Sequence, residues 1–490
     1  MLNDTEFASL FSASIGEDYR LAKSYVHDVP TQTLLRVRSI CHRLTQLIAE
    51  QQRLELDSPN LFDRIERLNQ QRVIDARIAR KLHKLRAGGN RGAHPEKFHL
   101  TLTQLIELAQ KSIADLLLVL EQVSTLCIAK SSPDYLFVPF DVIAGRDLCY
   151  RAVMEADVEA QYLVGMSLKS KALLLKEQAQ IIEQQQSLDG DTHTQASENS
   201  LNAQVEASFE QAAYWFSTAS HRHPRAQFEY GVCLLHGYGV KQDVITGEHL
   251  IASAAAQRVD QAMALLGYFY LVGSETLAQD LGQAKVFLLQ AAELDVAEAM
   301  ANLGVYYYQR QALSESFLWI QKAAQAGYPH SQFHLALMLA SGEGCDVDLQ
   351  ASQVWMQEAA VQGQVDAMLH VATQILDGAA NESEEPKHLS KQLSVKDAER
   401  YLQQAIQYEY NVPAMIELSI ALADGVLGRI DVVGSAALLV LAKNHATAEE
   451  LEVIRPLWDS LSLQVEQVQQ ITLDPEQLKS LTRAQELLKA

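Results

Sequence analysis

The chain has 490 residues, 48% of them hydrophobic, and a formal net charge of −21. That length exceeds one ordinary core and predicts several domains or a repeat array. No apolar run is long enough to cross a membrane, and Met1–Arg20 lacks the basic-then-apolar order of a secretory signal, so the expected location is cytoplasmic with no membrane contact. Five well-separated cysteines, Cys41, Cys127, Cys149, Cys233 and Cys345, form no Cys-x-x-Cys pair; they read as small buried hydrophobes and not as a disulfide framework or zinc site. Charge is uneven. Residues 1–130 hold 18 Lys and Arg against 15 Asp and Glu, and residues 131–490 hold 22 against 46. The larger part repels nucleic acid, so any nucleic-acid contact falls to the basic strip within residues 72–97, and a protein partner of the larger part should present a basic surface.

Residues 1–130 predict a helical domain. Leu34, Val37, Ile40, Cys41, Leu44, Leu47 and Ile48 recur at helical spacing within Thr33–Glu50, and Pro59–Gln70, Val73–Leu85 and Leu100–Val123 follow. Between the last two lie Gly88, Gly89 and Gly92, three glycines in five positions, which predict a helix stop and a tight turn. Ser131-Ser132-Pro133-Asp134 reads as a linker, and 131–159 as linker and lead-in helix.

A repeat follows. A small residue, three positions, an apolar residue and a second small residue recur at Ala226…Tyr230-Gly231, Ala262…Leu266-Gly267, Ala299…Leu303-Gly304, Ser331…Leu335-Ala336, Ala367…Val371-Ala372 and Ala414…Leu418-Ser419. In five of these units a loop glycine comes six positions later, at Gly237, Gly273, Gly342, Gly378 and Gly425. Each unit then carries a small–bulky–Ala triplet at spacings of three and four, such as Ala284–Phe287–Ala291 and Ser316–Trp319–Ala323, which shares one helical face. Small residues predict close helix approach and the bulky one fills the gap. A degenerate first unit spans 160–224, with Ala160…Gly165 as helix A, Ala212–Trp215–Ala219 as helix B, and a disordered insertion expected at 184–204. The array proper is 225–445, and 446–490 reads as two capping helices opened by Thr447…Glu450 and Asp474-Pro475.

These residues resemble the Sel-1-like repeat, a relative of the tetratricopeptide repeat. Gly237-Tyr238-Gly239 with Asp243, and Gly342-Glu343-Gly344 with Asp348, match its loop; Ala323-Ala324-Gln325-Ala326-Gly327 and Ala359-Ala360-Val361-Gln362-Gly363 match its ending. The resemblance implies an all-α chain whose N-terminal helical domain precedes an α/α superhelical solenoid of helical hairpins, a protein-binding scaffold or adaptor with no catalytic residues and no cofactor. Leu85-Arg86 and Gly89-Asn90…His94 look like a bacterial all-helical domain of unknown function that is similar to HEPN domains, many of them RNases that dimerise. That likeness implies a homodimer through residues 1–130 and, as the alternative function, an RNase or nucleic-acid-sensing defence effector. An RNase would need His94 as general acid/base and Arg86 or Arg91 as the cation for the transition-state phosphate, with Asn90 beside them. Gly89, however, stands where that family has its Arg. The preferred reading is structural: Asn90 caps a turn and His94 fixes it. His330 and His334 lack a third ligand, so no metal is expected. Tyr306-Tyr307-Tyr308 cannot all face inward, and at least one is a candidate contact for a partner.

Overall fold

A computed structural model describes residues 2–56, 58–93, 100–128, 133–140, 144–189, 195–380, 393–469 and 474–489. The described chain is all-α apart from two short strands. Its elements are β1 (Leu2–Asn3), α1 (Asp4–Ser9), α2 (Ala13–Ser24), α3 (Pro30–Gln51), α4 (Leu61–Gln70), α5 (Ala76–Ala93), α6 (Leu102–Cys127), β2 (Tyr135–Leu136), α7 (Ala144–Met154), α8 (Val158–Asp189) and α9 (Gln195–Ser220). Hairpin helices follow: α10 (Pro224–His236), α11 (Val244–Ala256), α12 (Asp260–Val272), α13 (Leu281–Glu293), α14 (Ala297–Gln309), α15 (Leu313–Gln325), α16 (Pro329–Ser341), α17 (Leu349–Val361), α18 (Val365–Ala380), α19 (Val395–Glu409), α20 (Val412–Asp424) and α21 (Val432–His445). The chain ends on α22 (Ala448–Gln469) and α23 (Pro475–Lys489). It divides into two compact units: Met1–Lys176 with Leu201–Ser331 and Glu343–Cys345, and Glu177–Ser200 with Gln332–Gly342 and Asp346–Ala490.

In the first unit, α3 is the centre of the N-terminal domain. Its apolar stripe, Val37, Ile40, Cys41, Leu44 and Ile48, is fully buried against Leu82 and Leu85 of α5 and Ile113, Leu116 and Leu120 of α6. Burial pushes the Cys41 thiol up to about 12, which makes it inert packing; Cys149, by contrast, is exposed. Residues 133–140, within the stretch read as linker and lead-in helix, pack on this domain. β2 pairs in parallel with β1, Tyr135 stacks on Phe7 at 4.6 Å, and the Val138 amide donates to buried Asp4 at 3.1 Å. Asp4, which Tyr19 and Lys23 also bond, thus ties residues 133–140 to the first turn of the chain.

A larger departure is α5. It does not stop at the glycines but runs through Gly88, Gly89 and Gly92 to Ala93. Propensity alone disfavours this by about 1 kcal/mol per glycine. The close approach of α3 requires it: a Cβ on Gly89 would stand 2.5 Å from Arg38 Cβ, and one on Gly92 2.7 Å from Leu34 Cβ.

The hairpins form as the triplets predict. Most repeat helices are 13 residues long, and α11, α13, α17 and α21 among the helix B members open on an N-cap aspartate, Asp243, Asp280, Asp348 and Asp431. Close approach follows the small residues: a Cβ on Gly304 would meet Ile320 Cδ1 at 2.5 Å, and Ser316 Oγ donates to the Gly304 carbonyl at 2.9 Å. Gly344, at φ 78, sets its loop so near α15 that a Cβ would lie 2.2 Å from the Leu313 carbonyl oxygen.

Two readings change. Gly378 is not a loop glycine; it lies inside α18. The expected disordered insertion at 184–204 is helical wherever it is described, to Asp189 in α8 and from Gln195 in α9, while 190–194 lie outside the described residues. Its Gln, Glu, Leu and Ala are good helix formers, and the low apolar content that suggested disorder does not prevent helix. A polar stretch near Ala379–Ser394, rich in Asn, Glu, Ser and Lys and read as a mobile loop, falls mostly outside the described residues.

Candidate functional site

The residues singled out at the Gly-Asn segment sit at a junction between the N-terminal domain and the repeats, all within the first unit. Arg86 and Asn90, four apart, share one face of α5. Arg86 is 1% exposed and Asn90 5%. Opposite them are the C-terminal ends of α13 and α15, where helical carbonyls lack intrahelical donors and carry the negative end of the dipole. Arg86 donates to Asp295 Oδ1 at 2.9 Å and to the Gln325 carbonyl at 2.6 Å; Asn90 Nδ2 donates to the Ala326 carbonyl at 2.8 Å. Asn60 Nδ2 donates to Asp295 Oδ1 and to the Ala292 carbonyl, both at 3.2 Å. Arg38 donates to the Leu294 carbonyl and lies 3.6 Å from the second Asp295 oxygen. The Arg86 guanidinium also rests over the Phe62 ring, 5.0 Å from its centroid.

Asp295 is the residue sequence reasoning missed. It is wholly buried and left-handed, at φ 65. The ending Ala291-Ala292-Glu293-Leu294-Asp295 aligns with Ala323…Gly327 and Ala359…Gly363, whose last residues are glycines at φ 84 and 95. A non-glycine residue there costs about 1 kcal/mol in backbone strain. The deviation from glycine was the available signal, and its cause is the pair of arginines arriving from another domain.

This geometry places the candidates as follows. Arg86 and Asn90 are inside a helix, buried, and occupied by repeat carbonyls, so Asn90 does not cap a turn. Arg91 is partly buried, and His94 lies outside the described residues. The basic strip is not one open face: Lys81 and Lys84 pair with Asp115 at 3.3 and 2.9 Å, and Arg86 is buried. A cavity of about 100 Å³ beside Arg86, lined by Phe62, Met300 and Trp319, is far below the size of a nucleotide site. Any dimer built on the Arg86–Asn90 face would compete with this intramolecular docking.

The tyrosine run splits. Tyr306 is 6% exposed and its hydroxyl accepts from Arg310; Tyr307 is half-buried; Tyr308 is 45% exposed, with its hydroxyl donating to Glu343 at 3.1 Å. Tyr268 and Val305, each one residue past the helix-A glycine of its repeat, are exposed as well. Among the described residues no group of three or more His, Cys, Asp or Glu side chains could hold a metal, and no helix is long and apolar enough to cross a membrane.

Two histidines flank the junction. His42, 3.2 Å from Arg64, is held below the usual imidazole range by burial, with Arg64 and Arg38 adding to it and Asp295 opposing. His83 is lowered chiefly by burial, its hydrogen bond to Glu66 only partly offsetting this while Arg86 adds. Both take up protons more readily when unfolded. Stability is therefore full above the ordinary pKa of about 6.5 and falls as pH drops through it toward the folded values. Thermal unfolding should shift to lower temperature between about pH 7.5 and pH 5.5, and the shift should shrink in a His42→Asn/His83→Asn variant. An unchanged shift would assign the acid sensitivity elsewhere.

Comparison with known proteins finds two family matches. A family model described as a domain of unknown function (DUF4145) matches residues 20–131, and the Sel1 repeat model matches residues 196–222, 224–258, 260–296, 297–328 and 329–364. Over 149 residues, 28% of this chain, there is 28% identity to chitin synthase regulator SKT5 of Saccharomyces cerevisiae, covering 21% of that protein. Over 188 residues, 37% of the chain, there is 30% identity to DAP3-binding cell death enhancer 1 of Mus musculus, covering 36% of that protein. The chain thus spans only a minor part of these relatives' length. Among solved structures, a Sel1 repeat protein from Oxalobacter formigenes is similar over 64% of this chain and 90% of its own, with TM-score 0.42 and 20% identity. A protective antigen of uropathogenic Escherichia coli with the SLR fold is similar over 92% and 94%, with TM-score 0.35 and 16% identity.

Proposed function

We propose, from the premise that this chain is a Sel1 repeat protein with an N-terminal DUF4145 domain, that it is a non-enzymatic scaffold whose acidic repeats hold a partner protein with a basic surface. Sel1 repeat proteins are generally protein-interaction scaffolds. The observation that carries the non-enzymatic half is the use of Arg86 and Asn90: the cation and the polar group that phosphoryl chemistry would need are both spent on repeat backbone. The partner-binding half is supported by the charge, 46 Asp and Glu against 22 Lys and Arg after residue 130, and by exposed Tyr268, Val305 and Tyr308 at successive repeats. Exposed aromatic and apolar side chains supply anchoring area while surrounding acids supply steering.

The test is affinity capture on the immobilised full chain. A basic partner is expected to bind at about 0.1 M salt, to leave by about 0.5 M, and to be lost from a Tyr268→Lys/Val305→Lys variant. A partner indifferent to both salt and substitution would overturn the reading.

A further inference from the structure

Beside the junction a cleft of about 690 Å³ opens between α3 and the turns that begin α10 and α12, a volume in the range of small-molecule sites. Five arginines and three carboxylates line it, an excess of positive charge in a chain of net charge −21. Most of these groups are occupied. Arg36 pairs with Asp18 and Glu159, both at 3.2 Å, Arg43 pairs with Asp18 at 3.2 Å, and Arg38 is turned to Asp295. Glu159 also holds His223 at 2.9 Å, and that hydrogen bond, with Arg36 and Arg225 nearby, keeps its carboxyl below the usual range. Arg225 and Arg258 are exposed and make no direct ion pair among the described residues, although the charges of Asp260 and Glu159 reach Arg225.

Both stand against local backbone preference. Arg225 is the second residue of α10, where a positive charge opposes the helix dipole; at the corresponding place α14 and α18 carry Glu298 and Asp366. Arg258 occupies the left-handed position, φ 62, that belongs to Gly327 and Gly363 in later repeats. Asp295 and, at the end of α19, Tyr410 at φ 49 are left-handed there without glycine as well, and the Asp295 side chain has a defined task. Left-handed strain retained by a non-glycine residue points to function.

We propose that the cleft binds a small phosphate-bearing anion, with the Arg225 and Arg258 guanidinium groups taking its oxygens. Guanidinium forks match phosphate oxygens in pairs. Partly exposed Leu35, with the His223 ring backed by buried Tyr162 at 4.5 Å, offers a surface for an attached organic group.

Titration calorimetry on the full chain without magnesium tests this, with inorganic pyrophosphate and ATP as probes and a hexaglutamate peptide as the competing class. At least one phosphate probe is expected to bind with a Kd below about 1 mM, tighter ATP binding marking a nucleotide and equal binding a bare phosphate. Arg225→Gln and Arg258→Gly should each weaken binding by about tenfold or more. Arg258→Gly should do so with an unchanged or raised melting temperature, because glycine relieves the left-handed backbone. Absence of phosphate binding at about 1 mM, binding unaltered in either variant, or binding of hexaglutamate alone would overturn the proposal.

Discussion

Replacing Asp295 by alanine is expected to destabilise the first unit by about 3–5 kcal/mol, the cost of leaving a buried charge without its partner. Arg86 is 1% exposed and cannot turn to water, and without Asp295 it would keep the hydrogen bond to the Gln325 carbonyl. Asn60 would lose one of its two acceptors across the junction. Asp295→Gly separates the two contributions. It relieves the left-handed backbone, worth about 1 kcal/mol, and so should fall short of the alanine loss by about that much. An Arg86→Met/Asp295→Gly pair should recover most of the remainder, since a buried ion pair replaced by apolar packing is often neutral. Denaturant unfolding measures all three, and hydrogen exchange of α5 should report the junction opening first. If Asp295→Ala unfolds like the parent chain, the arginines do not depend on this carboxylate and the junction is not the clamp described above.

The same junction explains what could and could not be read in the sequence. The repeats were legible because their constraint is local: a small residue must face a bulky one within its own hairpin, as Gly304 faces Ile320, so spacing alone reveals it. The N-terminal apolar stripe of α3 was legible for the same reason. The Gly88–Gly92 segment was not, because propensity weighs only the helix itself. What keeps α5 helical is α3, fifty residues earlier in the chain, pressed so close that side chains are excluded. Asp295 was illegible as a site because its meaning depends on which domain lands on the turn, although the missing glycine was in plain view. Tyr306 and Tyr308 had to differ in burial, but which faced outward depended on the phase of α14. The chemistry suggested by Arg86, Asn90 and His94 required them to converge in the open; two of the three are instead docked on carbonyls, and His94 lies outside the described residues.

Gly92→Val should destabilise the N-terminal domain by about 3 kcal/mol or more, through overpacking where nothing can move aside. A Cβ there would stand 2.7 Å from Leu34 Cβ and 2.9 Å from the Thr31 carbonyl oxygen, well inside the ~3.5 Å at which carbon atoms pack. One of these atoms is backbone and the other belongs to a wholly buried side chain of α3, so relief requires the helices to part. Parting them would also draw Arg86 and Asn90 from the repeat carbonyls, so the strain at Gly92 should reach the junction. Gly88 supplies the control on the same helix. A Cβ there meets nothing nearer than Ser112 Oγ at 3.6 Å, so Gly88→Ala should fit and stabilise the helix by about 0.5–1 kcal/mol through lower chain entropy and better propensity. Opposite signs at two glycines four residues apart would establish that α5 keeps Gly92 for contact and not for bending. Equal losses at both would mean that the segment needs glycine conformations after all, and that the turn read from the sequence is populated in solution.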